Sequence, residues 1–426
     1  MIVSLPTFTY SNQFDKLRLG LLYFVALSAS LGTAVSALGR LVLYLAALTY
    51  LITRAFGRRP PHGGGHAPML TWLILVTVAY MALTSLWSSV GSTEGLTVWS
   101  RHARILTIPV MVCMIASTTE ARLVLRVFLW GQVFVVVSAW LQVVGLPVPW
   151  ATGAWQGSYA VFSSYLEQCI TQAVLVVMLW SQRHHVFGPR GAWVALGLAL
   201  LSAVLTLGLM PGRSGHVVLL ALMALVGAHE LPKKYRWAAL AIPLLAFLFL
   251  LLVSSAFRDR MNQVASEVTA YSRGGAATEE SSSGMRLKYW RHSLEAVAEK
   301  PLLGHGAGSW NNEYMRLKGA WQPGVLYAVS DPHQIFLLWA VEGGLLGLCL
   351  LCAVLLALWR LAQSFGAPER LTMQTLMLGM VVAGLFNSVP FGIGLGDFFC
   401  VGLGILAAFR QDLPASVAAN RAGQSG

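Results

Sequence analysis

The sequence predicts an all-α, polytopic integral membrane protein of about twelve transmembrane helices, with one long, partly helical loop on the outer side. Three observations carry this. Of 426 residues, 56% are hydrophobic and only 11% charged, where a soluble domain carries about 25% charged residues. Apolar runs of roughly 20 residues recur, the length that crosses ~30 Å of hydrocarbon. The basic residues then sort to one side of those runs.

The spans are expected at 19–36, 37–53, 69–88, 101–118, 122–145, 164–182, 192–210, 214–230, 237–256, 343–360, 372–389 and 394–410. The fourth is the least apolar at its start, where Arg101, His102 and Arg104 crowd together. With the N-terminus taken as cytoplasmic, sixteen Lys and Arg fall on cytoplasmic segments, from Lys16 and Arg18 to Arg410 and Arg421. The short outer segments hold four: Arg40, Arg101, Arg104 and Arg213. This positive-inside bias puts both termini inside and the long loop outside. The chain then divides into spans one to nine (1–256), a long outer loop (257–332), three last spans (333–411) and a cytoplasmic tail (412–426).

The net charge of +12 follows from that sorting. It reads as topology and contact with anionic membrane lipid, not as nucleic-acid binding. The five cysteines, Cys113, Cys169, Cys349, Cys352 and Cys400, all lie in apolar segments and read as packed thiols. Lys16 and Arg18 precede an apolar run long enough to stay as an anchor, so no cleavable signal peptide is expected.

The outer loop has internal order. A Gly- and Ser-rich strap runs from Tyr271 to Gly284. An amphipathic helix follows, with Leu287, Trp290, Leu294 and Val297 at helical spacing, Ser283 as its cap and Pro301 beyond its end. Arg286, Lys288 and Arg291 lie toward its N-terminal end, where the helix dipole favours an anion. The next segment, PLLGHGAGSW, holds His305. Its N–H groups suit either a phosphate cradle or a plain turn, and the turn is the preferred reading.

Arg213 sits in MPGRSGH, where Pro211 and Gly212 break the chain between spans. It reads as a turn arginine reaching for headgroups or as a guanidinium gripping phosphate oxygens at membrane depth, the second being preferred. Arg101 and Arg104 carry the same ambiguity, undecided. The stretch from Pro147 to Tyr165 holds Trp150, Trp155, Tyr159 and Phe162 and reads as an interfacial aromatic belt.

The most chemical stretch is Ser330 to Leu345, SDPHQIFLLWAVEGGL. His333 is the one side chain there that takes and gives a proton near pH 7, and a helix follows at once. Asp331 either orients it or caps that helix, with capping preferred. Glu342 with Gly343 and Gly344 is expected to break a short helix from the span. There is no Asp-x-Asp pair, Walker loop or nucleotide fingerprint, so no metal site and no cofactor are expected.

The order of these features resembles the O-antigen ligase and O-antigen polymerase superfamily. The features are a G-R-S turn at Gly212–Ser214, R-x3-W at Arg286–Trp290, P-L-L-G-x-G from Pro301, D-P-H-x-x-F-L from Asp331 and E-G-G-L from Glu342. They cover 210–361. Gln334 stands where many members have asparagine. The resemblance implies a GT-C-like membrane glycosyltransferase of the bacterial inner membrane, with a periplasmic site and an undecaprenyl-pyrophosphate-linked glycan as donor. It matches His333 to the essential histidine, and Arg213 and Arg286 to the key arginines. Arg291, Lys288, Arg101, Arg104, His305 and Asp331 are secondary candidates.

The expected activity is ligation of glycan to the lipid A–core acceptor, inverting and metal-independent, with His333 as base. The nearest rival is a polymerase joining lipid-linked repeat units. A ligase acting on protein is a third option, and a lipid or polysaccharide transporter is the rival from another class. Polar residues gathered at the outer ends of spans, without an internal repeat, speak for the enzymes.

Overall fold

The structure, a computed structural model, describes residues 13–55, 68–151, 158–253, 255–272, 282–320, 322, 331–389 and 392–409. Among the described residues there is no strand. The first helices are α1 (Gln13–Ser28), α2 (Thr33–Ala55), α3 (Pro68–Leu83), α4 (Ser92–His102), α5 (Thr107–Met114) and α6 (Thr118–Val143). Next come α7 (Tyr165–Gln182), α8 (Gly188–Val204), α9 (Arg213–Glu230), α10 (Ala241–Val253) and α11 (Ser255–Ser272). The last are α12 (Ser282–Glu299), α13 (Trp310–Leu317), α14 (Ile335–Gln363), α15 (Ala367–Gly384) and α16 (Ile393–Ala407). The strap residues 273–281, Trp155 and the tail 412–426 lie outside the described residues.

The chain is a helical membrane protein. Among the described residues, five helical stretches are long and apolar enough to cross a bilayer: Thr33–Thr53, Pro68–Trp87, Thr118–Val143, Gly188–Leu209 and Ile335–Gln363. Gly394–Ala407 is apolar but shorter. α2 turns Leu38, Leu41, Leu45 and Leu48 outward, a stripe that water would penalise and lipid accepts.

Two expected spans take another form. The segment 101–118 is not one helix. α4 ends at His102, a 3-10 turn covers Ala103–Leu106, and α5 follows. Pro109 has no N–H to give, and the new start places it in the first turn of α5, where none is needed. The span expected at 343–360 belongs to a helix that begins at Ile335 and breaks at Gly344, with φ 64° and ψ −165°.

That break is closed from outside the helix. Breaking α14 frees the Val341 and Glu342 carbonyls and the N–H groups of Leu345 and Leu346. The turn 301–306 takes all four. His305 N–H donates to Val341 O (2.8 Å) and Gly306 N–H to Glu342 O (2.9 Å). Leu345 N–H donates to Pro301 O (2.7 Å) and Leu346 N–H to Leu302 O (3.3 Å). The N–H groups of His305 and Gly306 are therefore committed to α14, and that of Gly304 donates to Lys300 O (3.2 Å). It also ties to the far side, where Ser88 Oγ donates to Ala307 O (2.7 Å).

Buried charges are paired. Arg18 forks onto Glu120 at 2.7 and 2.9 Å. Asp397 accepts from Ser36 (2.9 Å) and from Arg40, with Arg104 at 3.5 Å. His102 meets Glu342 at 2.6 Å, two residues before the break. α7 is the hub, packed on α8, α9 and α15.

The amphipathic helix is α12, but its apolar stripe is not its buried face. Leu294 is exposed. Tyr289, Ser293 and Ala296 are buried instead. Tyr289 meets Trp310 and Tyr314 edge-on, and Ser293 accepts from the Trp310 indole at 2.7 Å. Ser283 lies inside the first turn and does not cap it. The cysteines are free, as expected, but Cys349 and Cys352 face outward rather than packing.

Candidate active site

Ser283, Arg286 and Trp290 fall at three- and four-residue spacing, so they share one stripe of α12. That stripe walls a cavity of about 390 Å³ between α9, α10, α11 and α12. Its other walls are mainly apolar, with Val217 and Leu220 on α9, Phe247 on α10 and Met261 and Val264 on α11, joined by Ser214 and His216 at the start of α9. Arg213 and Arg286 bring two positive charges to this apolar space.

Arg213 opens α9 directly after the Pro211–Gly212 break. Its Nη1 donates to Ser283 Oγ at 3.2 Å and lies 3.6 Å from a Glu267 carboxylate oxygen. Arg286 makes no hydrogen bond or ion pair among the described residues. Burial pushes its pKa below the usual guanidinium value, and the Arg213 charge pushes the same way. Tyr165 and Asp331 oppose both.

His333 stands just before α14 in the left-handed region, at φ 53°, which costs a non-glycine residue roughly 1–2 kcal/mol. Its neighbours hold it there. The His333 N–H donates to Asp331 Oδ1 at 2.8 Å, and the same oxygen lies 3.4 Å from the imidazole Nδ1. Ser388, between α15 and α16, donates its hydroxyl to that carboxylate. The Pro332 carbonyl accepts from the Trp290 indole at 3.2 Å. The Tyr289 ring lies 6.2 Å away.

The Asp331 cap is not what the structure shows. Gln334 caps α14, its side chain accepting from Leu337 N–H at 2.5 Å, while Asp331 faces His333. The geometry is a turn in which the aspartate reaches forward to the residue two on. The Gln334 amide, one residue nearer the helix, is left to cap.

The His333 side chain is 47% exposed. Partial burial holds its pKa below the usual histidine value, with Asp331 raising it and Arg286 lowering it again. At neutral pH the ring is therefore mainly neutral. With Nδ1–H directed at Asp331, the Nε2 lone pair is left to accept a proton. His333 does not line the cavity itself. It connects to it through Arg286, which acts on its charge, and Trp290, which holds its neighbour.

The structure thus brings Arg213, Arg286, Asp331 and His333 into one region. Lys288 is half-buried on the same helix, and Arg291 is exposed and pairs with Glu295 at 3.0 Å. Arg101 is exposed at the end of α4. Arg104 is elsewhere, buried against Gly392 O (2.5 Å) and Asp397. His305 is also elsewhere. Its Nε2 faces Ala296 O at 2.9 Å and its Nδ1 faces Glu313 at 3.3 Å. Glu299, His305 and Glu313 bring ligand-type atoms within 4.8 Å of one another, but Arg316 pairs with both carboxylates. Among the described residues no such cluster joins the Arg213–His333 region.

Sequence reasoning missed Glu267, Ser388 and Tyr289. Ser388 carries a weak signal, a polar residue ahead of Pro390 at the end of the expected span 372–389. Glu267 carries none. It is one acid in an ordinary helix, and its partner is on another element.

Residues 188–352 match the family model described as O-antigen ligase, the stretch that contains Arg213, Glu267, Arg286 and His333. No curated protein matches the chain.

Proposed function

We propose that this chain, whose residues 188–352 match the O-antigen ligase family model, transfers a glycan from undecaprenyl pyrophosphate to the lipid A–core oligosaccharide. The observation that carries this is the pairing of a histidine held 3.4 Å from Asp331 with two arginines on a largely apolar cavity. An amphiphilic anion fits such a space, its chain against the apolar walls and its phosphates on the guanidiniums.

In this reading His333 Nε2 takes the proton of an acceptor hydroxyl, and that oxygen attacks the anomeric carbon. The carbon–oxygen bond to the pyrophosphate breaks, its electron pair leaving with the phosphate. Attack opposite the leaving group inverts the anomeric centre. A positioned base contributes ~10²–10⁴ in rate. Arg213 and Arg286 stabilise the charge that grows on the departing phosphate, so the residues supply the acid–base and electrostatic parts without a metal ion. Asp331 holds the imidazole. The donor already carries its leaving group, and no ATP is required.

The further topology we propose has the remaining helices completing about twelve crossings, as the sequence pattern suggests. Both termini are then cytoplasmic and the site is periplasmic in the inner membrane. The test is complementation of a ligase-deficient Gram-negative host with a matching core, read as glycan ladders on lipopolysaccharide. Purified components with lipid A–core, repeat-unit lipid or protein acceptor then decide among the transferases. Product on repeat-unit lipid alone makes the protein a polymerase. Substrate moved unchanged, with no new glycosidic bond, makes it a transporter.

A further inference from the structure

Glu267 lies on α11, one turn beyond the cavity-lining Val264, and among the described residues it is the acid paired with Arg213. Its carboxylate is 3.6 Å from Arg213 Nη1, and its side chain is only 12% exposed. It accepts from Ser283 N–H at 3.3 Å and from Gln263 Nε2 at 2.9 Å. Ser283 Oγ in turn accepts from Arg213. Burial alone would raise the Glu267 pKa, but the Ser283 hydroxyl and Arg213 outweigh it and hold the group below the usual carboxylate value. The site therefore contains an ionised carboxylate where an anionic ligand would sit.

We propose that Glu267 is a specificity-determining residue, an internal counter-anion on Arg213 that a polyprenyl diphosphate displaces and a polyprenyl monophosphate does not. This rests on the donor reading above. With Glu267 seated, Arg213 is matched by a carboxylate at 3.6 Å, while Arg286 has no ion pair among the described residues and feels Asp331 only at longer range. A single phosphoryl group satisfies Arg286 and leaves Glu267 in place. Two linked phosphoryl groups span both guanidiniums, and the second takes Arg213 from the carboxylate. Glu267 keeps its bonds to Ser283 N–H and Gln263 when it lets go, so it is not stranded. Discrimination here comes from an opposing charge as much as from an attractive one.

The same carboxylate acts after transfer. The spent diphosphate has to leave two arginines in an apolar space, where their hold is strong. Glu267 returns to Arg213 and lowers the cost of that departure.

The test is direct binding of undecaprenyl diphosphate and of undecaprenyl monophosphate to the full chain in lipid nanodiscs. Wild type, Glu267→Gln and Glu267→Asp are compared. The expected result is a wild-type preference for the diphosphate. In Glu267→Gln the monophosphate binds about tenfold tighter, a change the size of one partly buried charge pair, and the preference narrows. Glu267→Asp stays near wild type. Turnover of Glu267→Gln falls together with its KM, the sign of slow product release. An unchanged preference in Glu267→Gln overturns the inference and leaves the donor reading standing. Weaker binding of both lipids in that variant also overturns it, since Glu267 would then only position Arg213. Wild type that binds neither lipid removes the donor reading and the inference with it.

Discussion

The Trp290 indole N–H donates to the Pro332 carbonyl across 3.2 Å. One side chain therefore walls the cavity and also fixes the residue before His333. Cavity and base share a part, so a change in either is felt by the other. Trp290→Phe keeps an aromatic wall and loses the bond, worth about 1 kcal/mol. We expect kcat to fall several-fold with little change in donor binding, which steady-state kinetics alongside a donor Kd will show.

His333 can be tested without breaking the fold. Asn tolerates the left-handed backbone better than most residues, so His333→Asn removes the base and keeps the turn. Transfer should drop by ~10²–10⁴ while the melting temperature holds. His333→Gly, which relieves the strained φ, should melt no lower than wild type. Wild-type turnover by either variant removes His333 from the base role.

The pH profile follows from the charges around the ring. A base works deprotonated, so activity should rise with pH through the His333 pKa, which lies below the ordinary histidine value. Arg286 depresses that pKa and Asp331 raises it. Arg286→Gln should move the acidic limb of kcat toward higher pH, and Asp331→Asn should move it lower. Opposite movements in the two variants distinguish electrostatic tuning from general damage.

The closure of the α14 break depends on a residue without a side chain. Gly344 has a positive φ, and a Cβ there would run into the Leu302 backbone. Gly344→Ala should destabilise the protein by more than the ~1–2 kcal/mol of the backbone strain alone. A lower melting temperature in detergent is the readout.

The Glu313 cluster sets an acid limit. Burial raises the Glu313 pKa, but hydrogen bonds from His305 and Arg316 overcome it and bring it down from 4.5 to about 2. A depressed carboxylate contributes stability above its unfolded pKa and loses it as pH falls through the folded one. The loop turn should loosen between pH 4.5 and about 2, and Glu313→Gln should flatten that window in thermal melts.

Parts of this were legible in the chain because the residue type announces the constraint. Gly343–Gly344 announced a break, and Pro211–Gly212 a helix start carrying Arg213. His333 stood out because few other side chains serve as a base at neutral pH. Other parts were hidden by partners that a linear reading cannot see. Arg104 looks like a free outer cation until Asp397 is brought to it from the far end of the chain. The α12 stripe misled because in a membrane protein apolar spacing marks a lipid-facing side as readily as a core. Residues 101–118 read as one span because averaged hydropathy passes over the proline that restarts the helix.

The break in α14 also has a dimension. From Leu345 to Gln363 the helix measures roughly 28 Å at 1.5 Å per residue, close to the ~30 Å of a bilayer's hydrocarbon. The short segment above the break carries His333, and the turn 301–306 clamps it there. In the topology proposed above, the height of the imidazole over the lipid tails is set by the length of one apolar cylinder. On the proposed reaction, the thickness of the host membrane then becomes a variable, and a bilayer of longer or shorter acyl chains changes the level at which sugar meets base.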